Sequence, residues 1–268
     1  MKKIFCLLLS VMMLLCLVAC DTDSDDPGKT DNGSTLTATE LLALVNEREQ
    51  DGYGDNVVKV TMDMIADATI AGTNNHIVQK MEMYMKEGTS PVASVKSTVQ
   101  LPGQDDMITD QYYANGYLYY SANGVTYKSQ SLFDKLVGEN SMSSGDMRDI
   151  LNGALENKVE KQSDGTYKVT VKVDPTSENP LITELLEGFG ATDSGMSIDA
   201  IDAEFLIDAD YFLNTIKMDI TLSGEMAEVG KVEMQFGVVA AATILGTEYQ
   251  ITVPDSIDIE NAVSIDEK

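Results

Sequence analysis

The chain is poor in the side chains that most enzymes use for nucleophilic, acid–base and metal chemistry. It has one histidine (His76), no tryptophan, and three cysteines that all lie within the first twenty residues. These counts exclude zinc sites built from His and Cys. A Ser-His-Asp arrangement would have to use His76, which lies in a turn-like stretch without a G-x-S-x-G element nearby. Glycosidase-type carboxylate pairs stay open among 44 acidic residues, although aromatics that stack on sugars make up only 6% of the chain. We therefore expect no enzyme, no catalytic residue, no metal and no cofactor.

Basic side chains are also scarce. The chain has 18 Lys and Arg residues against 44 Asp and Glu residues, a net charge of −26. A nucleic-acid binder needs a basic surface, so we expect no nucleic-acid partner. The same charge repels an anionic membrane surface, so the folded part of the chain needs an anchor to stay at a bilayer.

The first twenty residues have the pattern of a bacterial lipoprotein signal. Lys2 and Lys3 precede an apolar run of 14 residues at 4–17, which is too short for a comfortable membrane span. Leu17-Val18-Ala19-Cys20 resembles the lipobox, in which the cysteine receives a diacylglyceryl group and becomes the mature N-terminus. The resemblance implies a signal peptide at 1–19, with diacylglycerol and palmitate chains on Cys20 anchoring the protein to the extracytoplasmic face of the cell membrane. Two or more acyl chains suffice for stable anchoring. An uncleaved anchor would leave the protein on the same face.

The segment that follows is predicted to be a tether. Residues 20–36 are acidic and rich in small residues, and they cannot bury enough apolar surface to offset their chain entropy. Asp21 to Asp25 hint at a calcium loop, but Asp26 stands where that loop needs glycine and Asn32 where it needs glutamate. A solvated linker is the better interpretation, and residues 37–268 are predicted to form one domain.

Within that domain the apolar pattern changes from helical to alternating. Thr37 or Thr39 can cap a helix that runs to Gln50. Apolar residues then alternate at 57–70 and from Ile77 to Met85, and a third strand is expected near 92–101. Asn115-Gly116 and Asn123-Gly124 are type I′ turn signals, so 107–130 is predicted to be a three-stranded meander.

The second half adds short helices and more strands. Two short helices are predicted within 131–157, and a third is predicted at 178–187. Strands are predicted at the ranges 156–162, 166–173, 199–209, 212–223 and 229–240. The fold class is therefore mainly β (α+β): a single antiparallel sheet of about ten strands with one apolar face. Because so wide a sheet would leave apolar surface bare if it were flat, we expect it to curl around a few short helices. Whether the curl encloses a cavity or a filled core is left open.

The order of these features resembles the LolA/LppX-type lipoprotein-carrier superfamily, in particular an uncharacterised Gram-positive lipoprotein branch. The likeness rests on the lipobox, the acidic tether, the N-terminal helix and two long strands. It also rests on the tyrosine-rich hairpin 112–120, Asp164-Gly165-Thr166-Tyr167, the strand Phe205-Leu206-Ile207-Asp208 with Ile216-Lys217-Met218-Asp219, and a terminal Val253-Pro254 before Ala262. The resemblance implies a curved antiparallel half-barrel with a few short helices on its concave face, which in characterised relatives binds lipid or acyl chains.

Methionines and tyrosines are the unusual feature of the pattern. The methionines on two neighbouring strands should share a face, where they would form core, line a lipid cavity, or bind Cu(I) with His76 nearby. Six of the 11 tyrosines lie within 112–127 and are expected to pair across strands. The predicted ligand-binding residues are Met62, Met64, Met81, Met83, Met85, Phe205, Ile207, Met218, Met234 and Phe236.

Two functions from different classes are consistent with these patterns. In the first, the domain binds or carries a lipid or another hydrophobic molecule in the hollow of its sheet. In the second, the core is filled and the chain is a non-catalytic cell-envelope interaction or scaffold module that works through its acidic outer face. The membrane is the expected partner in both, through the acyl chains on Cys20, and any protein partner is unidentified.

Overall fold

The computed structural model describes residues 36–50, 52–122, 124–130, 144–176, 182, 196–226 and 230–265. These residues form two helices, α1 (Ala38–Gln50) and α2 (Ser144–Asn152). They also form twelve strands, about two more than expected: β1 (Val57–Ile70), β2 (Thr73–Lys86), β3 (Val92–Gln100), β4 (Met107–Ala114), β5 (Tyr117–Ala122), β6 (Val125–Gln130), β7 (Ala154–Lys161), β8 (Tyr167–Val173), β9 (Met196–Ile207), β10 (Leu213–Met226), β11 (Gly230–Gly246) and β12 (Val263–Ser264).

All twelve strands belong to one curved, open sheet, so the predicted fold class is confirmed. The strand order is β12-β6-β5-β4-β3-β2-β1-β11-β10-β9-β8-β7. The sheet consists of two antiparallel meanders, β1–β6 and β7–β11, which join where β1 pairs with β11 over the whole length of β1. The single parallel pair among the described strands is β12 with β6, at one edge of the sheet.

Two-residue turns fix the register of the hairpins. Ala71 and Gly72 join β1 to β2 with φ angles of 49° and 80°, and Asn115 and Gly116 join β4 to β5 with φ angles of 55° and 80°. Positive φ at both positions is the geometry of a type I′ turn, whose twist matches that of the strands. β2 begins at Thr73. His76, expected in a turn, therefore lies within a strand.

Helix α1 begins with a reciprocal cap. The backbone N–H of Glu40 donates to Thr37 Oγ1 (3.2 Å), and the backbone N–H of Thr37 donates to Glu40 Oε2 (2.8 Å). This capping box satisfies donors that have no partner within the helix. Two hydrogen bonds from Thr37 hold the pKa of Glu40 below its ordinary value. The bond from the backbone N–H has the larger effect, and the bond from the hydroxyl has the smaller one. Thr37 and Thr39 were both candidates for the cap, and Thr37 is the one that caps the helix.

The helices lie against one face of the sheet, which we call the inner face. Leu41 and Val45 of α1 and Met147 and Ile150 of α2 are at most 1% exposed and share a core with inner-face residues of β1 and of β8–β11. Helix α2 is the second helix predicted within 131–157. The helix expected around Leu132 to Val137 lies outside the described residues, as does that at 178–187 apart from the buried Ile182.

The outer face is not solvated throughout, because residues 249–265 cross it over β2–β6. The ring of Tyr249 stacks on Tyr84 with centroids 5.2 Å apart. Ile257 is buried against Tyr112 and Tyr119. The backbone N–H of Asp258 donates to the buried hydroxyl of Thr126 (2.8 Å). We call residues 249–265 the C-terminal strap.

Candidate ligand-binding site

The register places the predicted site residues on the inner face. Met62 pairs with Met81 of β2 and with Ala240 of β11, and Met64 pairs with Val238. Val238 also pairs with Met218 of β10. Because side chains on paired positions project to the same side of a sheet, these residues face the hollow together. Six more follow the same alternation: Met83, Met85, Phe205, Ile207, Met234 and Phe236.

The ten residues fall into two hydrophobic clusters. The large cluster contains five of them: Met64, Phe205, Ile207, Met234 and Phe236. The small cluster contains Met81, Met83 and Met85, with Val60, Val95 and Tyr113 among its other members. Met218 packs against the large cluster, and Met62 packs against both. Met62 therefore lies at the boundary between the clusters, and both it and Met218 are only partly buried.

The boundary continues from β1 to β3 as a polar strip. Gln79 lies between Ile77 of the large cluster and Met81 of the small one, and Ser97 lies between Val95 and Val99. Gln79 and Ser97 are half-buried, and Gln79 Nε2 donates to Ser97 Oγ at 3.3 Å. We call Met62, Gln79, Ser97 and Ala240 the seam.

A small, partly open space lies beside the end of α1. Its volume is about 20 Å³, and it is lined in part by Arg48, Tyr53, Met85 and Phe212. A space of this size holds about one water molecule. The Tyr53 ring packs edge-on against Phe212 with centroids 5.8 Å apart. Burial of the phenol, followed by the charges of Glu49 and Glu87, raises the pKa of Tyr53 to about 12.

A larger space of about 520 Å³ is an open groove at the far ends of the central strands. Its lining is mainly polar and includes outward-facing residues of β1, β2, β10 and β11, among them Asp67, Asn74, Ser223, Glu233 and Gln235. The Glu233 carboxylate is paired with Lys231 at 2.6 Å. This groove is large enough for a small molecule, and Met234 is the one predicted site residue in its lining.

His76 does not join the methionines. It pairs with Asp67 in the register of β1 and β2, and its Nδ1 lies 2.7 Å from Asp67 Oδ1. Both residues point outward, whereas Met62 and Met81 point inward, so the sheet separates the imidazole from the thioethers. The Cu(I) alternative therefore has no histidine ligand from His76. Among the described residues, no three His, Cys, Asp or Glu side chains are grouped as a metal site would need.

Two features of the site were missed in the sequence. Ser97 lies in a strand whose alternation, Ala93-x-Val95-x-Ser97-x-Val99, already indicated that it faces inward. Gln79 stands at an alternate position between Ile77 and Met81, so the pattern of β2 likewise indicates that it faces inward. The outward-facing pair Tyr112 and Tyr119, with centroids 6.4 Å apart, was expected as a cross-strand contact, but its cover by Ile257 had no local sequence signal.

The fold and this inner face define a class of open, half-barrel sheet proteins with helices against the concave side. A family model matches residues 54–262, and the chain belongs to that family, the family of unknown function DUF6612. No curated protein matches the chain.

Two solved structures match the chain at low identity and low TM-score. One is a domain described as belonging to an outer membrane lipoprotein-sorting protein of Vibrio parahaemolyticus, with 12% identity and a TM-score of 0.24, covering 80% of this chain and 95% of that chain. The other is a DUF1329 family protein from Desulfovibrio piger, with 10% identity and a TM-score of 0.22, covering 82% of this chain and 95% of that chain. None of the helices in the described part of the chain is long and apolar enough to cross a membrane.

Proposed function

We propose that the chain is a non-catalytic extracytoplasmic lipoprotein that binds or carries a lipid or another hydrophobic molecule on the inner face of its sheet. The observation that carries the proposal is the seam, where Met62 is only partly buried although tightly packed residues surround it on both sides. Methionine side chains are flexible and polarisable, so they repack around an inserted apolar chain more easily than branched side chains do. The seam is therefore the place where an alkyl chain can enter with the least loss of packing.

Binding is tested on mature protein that is released without detergent and analysed for bound lipid by native mass spectrometry. The discriminating variant is Met62→Trp, whose larger ring should fill the seam and reduce the bound lipid at least tenfold. The matched control is Ile65→Trp on the same strand, because Ile65 points outward and is 42% exposed. Unfolding curves of both variants check that each is folded.

A loss of lipid in Met62→Trp alone supports binding on the inner face. Protein that is free of lipid, and that takes up no alkyl probe when one is offered, overturns the proposal. Equal retention of lipid in both tryptophan variants would move the ligand away from the seam.

The proposed address rests on Cys20. The signal at 1–19, the acyl chains on Cys20 and the tether at 20–36 together hold the domain near the outer surface of the cell membrane. Cys20→Ser should abolish labelling of the chain with radioactive palmitate and move it from the detergent phase to the aqueous phase. Continued labelling of Cys20→Ser would place the acyl group elsewhere.

The second candidate, an envelope interaction module with a filled core, is favoured by the small size of the space beside Tyr53, which has room for about one water molecule. Its partner would bind the acidic outer face, where association weakens as salt screens charge. Crosslinking in cells at low and at high salt tests this candidate. A salt-sensitive crosslinked protein, together with a lipid-free chain, would select the interaction module over the carrier.

A further inference from the structure

We propose that the ligand of the seam is a neutral amphiphile, whose uncharged hydrogen-bonding head group lies against Gln79 and Ser97. This inference rests on the proposed binding of a hydrophobic molecule and specifies its chemical class. Apolar residues fill nearly all inner positions of the central strands, so two adjacent polar side chains between the clusters distinguish this part of the hollow.

Gln79 and Ser97 keep hydrogen-bonding capacity beyond their mutual contact. The 3.3 Å bond uses one amide hydrogen of Gln79 and one lone pair of Ser97. The amide still offers its carbonyl oxygen and a second hydrogen, and the Ser97 hydroxyl keeps its own hydrogen. Thr109 pairs with Ser97 across β3 and β4 and adds an exposed hydroxyl on the same face. These groups match an ester carbonyl or an alcohol.

The position of the pair also matters. Met62 and Met81 pair directly across β1 and β2, and the next inner position along β2 is Gln79. An apolar chain lying along the thioethers would therefore bring its polar end to the amide. Polar groups left without a partner in apolar surroundings are costly, so a ligand that bonds to Gln79 and Ser97 gains over one that only covers them.

Charge argues against an ionised head group. The inner positions of β1–β4, β10 and β11 hold no charged residue among those that the structure describes. The charged side chains of these strands project outward, as in the outward-facing ion pair Lys59–Glu82 at 2.6 Å. A phosphate or carboxylate at the seam would find no countercharge on the described inner positions of these strands, and the net charge of −26 repels anions from the whole molecule.

The test compares three probes on the mature chain in their ability to displace a bound pyrene-labelled alkane. Dioleoylglycerol has a neutral head group, dioleoyl phosphatidic acid has the same chains with an anionic head group, and hexadecane has no head group. We expect dioleoylglycerol to compete about tenfold better than hexadecane, the value of about one net hydrogen bond. Phosphatidic acid should compete least well.

Two variants assign the preference to the seam. Gln79→Leu and Ser97→Ala should each lower the advantage of dioleoylglycerol over hexadecane about tenfold. Neither variant should reduce the ability of hexadecane to displace the labelled alkane. Gln235→Leu is the matched control, because this glutamine lies on β11 and points outward into solvent. Equal competition by phosphatidic acid and dioleoylglycerol, or an unchanged preference in Gln79→Leu, overturns the proposal of a neutral head group but not the proposed function. Failure of all three probes to displace a bound alkane overturns the neutral head group, whereas failure of the alkane itself to bind overturns the proposed function as well.

Discussion

Ala71 and Asn115 occupy the same position in two turns of nearly the same geometry, with φ angles of 49° and 55°, and a glycine at φ 80° follows each of them. Asparagine tolerates the left-handed region better than alanine does, because its short polar side chain can hydrogen-bond locally. Ala71→Asn should therefore raise the free energy of unfolding by about 0.5–1 kcal/mol. Urea unfolding of the mature chain measures the change.

The reverse substitution is the control for this prediction. Asn115→Ala should lower the free energy of unfolding by a similar amount, because it places alanine in the conformation that Ala71 now adopts. If Ala71→Asn and Asn115→Ala both lower the free energy of unfolding, backbone strain at Ala71 does not limit the stability of the wild type. The backbone bond from Ala71 N–H to the Lys231 carbonyl (3.2 Å) is kept in the variant and should not contribute.

The pH dependence of the free energy of unfolding tests whether the Tyr53 phenol is buried. Burial of its phenol and, secondarily, the carboxylates of Glu49 and Glu87 raise its pKa to about 12. Between pH 10 and pH 12 the unfolded chain releases this proton while the folded chain keeps it, so the stability present below pH 10 is lost as the pH rises toward 12. Tyr53→Phe keeps the ring beside Phe212 but removes the proton. Its free energy of unfolding should therefore fall less steeply than that of the wild type over this range.

The measurement is urea unfolding at intervals from about pH 9 to pH 12, a range that includes the ordinary tyrosine pKa of about 10. The difference in stability between the wild type and Tyr53→Phe should be constant below pH 10 and shift in favour of the variant above it. Parallel curves for the two proteins at all pH values would show that the Tyr53 phenol ionises alike in both states.

At the level of elements, the C-terminal strap should contribute to stability through a few buried contacts. Ile257 is 7% exposed and covers Tyr112 and Tyr119, whereas Val253 in the same strap is 38% exposed. Ile257→Ala should lower the free energy of unfolding by about 2–4 kcal/mol, because it removes buried methyl groups and leaves a cavity. Val253→Ala should change it by less than about 0.5 kcal/mol. Equal, small effects in urea unfolding would mean that the strap is detached in solution.

The strap also shows which elements the sequence could predict. The long strands and α1 were predicted because alternation and helical spacing repeat several times within each, and because Thr37 and Glu40 form a recognisable cap. The two-residue strand β12 has no period to detect. β11 was expected to end near residue 240, but it continues to Gly246, because Ala240 and Ala242 keep the alternation while offering little hydrophobic contrast.

At the level of the whole molecule, alternation predicted which face each residue occupies but not which strands are neighbours. Met62 and Met81 could be placed on one face because they follow each other closely in the chain. The pairing of β1 with β11 joins residues far apart in sequence, and side-chain pattern carries no information on such partners. For the same reason the division of the site into two clusters, with Gln79 at their boundary, became visible only in the structure.

The charge of the whole molecule leads to a last prediction, on salt. With 44 acidic and 18 basic residues, like charges repel more often than opposite charges attract, and folding brings them closer together. The ion pairs of the described residues are at the surface, as in Lys217–Asp219 at 2.9 Å, and such pairs contribute little. Raising sodium chloride from about 10 mM to about 200 mM shortens the screening length from about 30 Å to about 7 Å. The urea midpoint should therefore rise.

Choline chloride at the same ionic strength should raise the urea midpoint equally, since screening depends on charge and not on the identity of the cation. A midpoint that falls in both salts would mean that attractive pairs outweigh the excess negative charge.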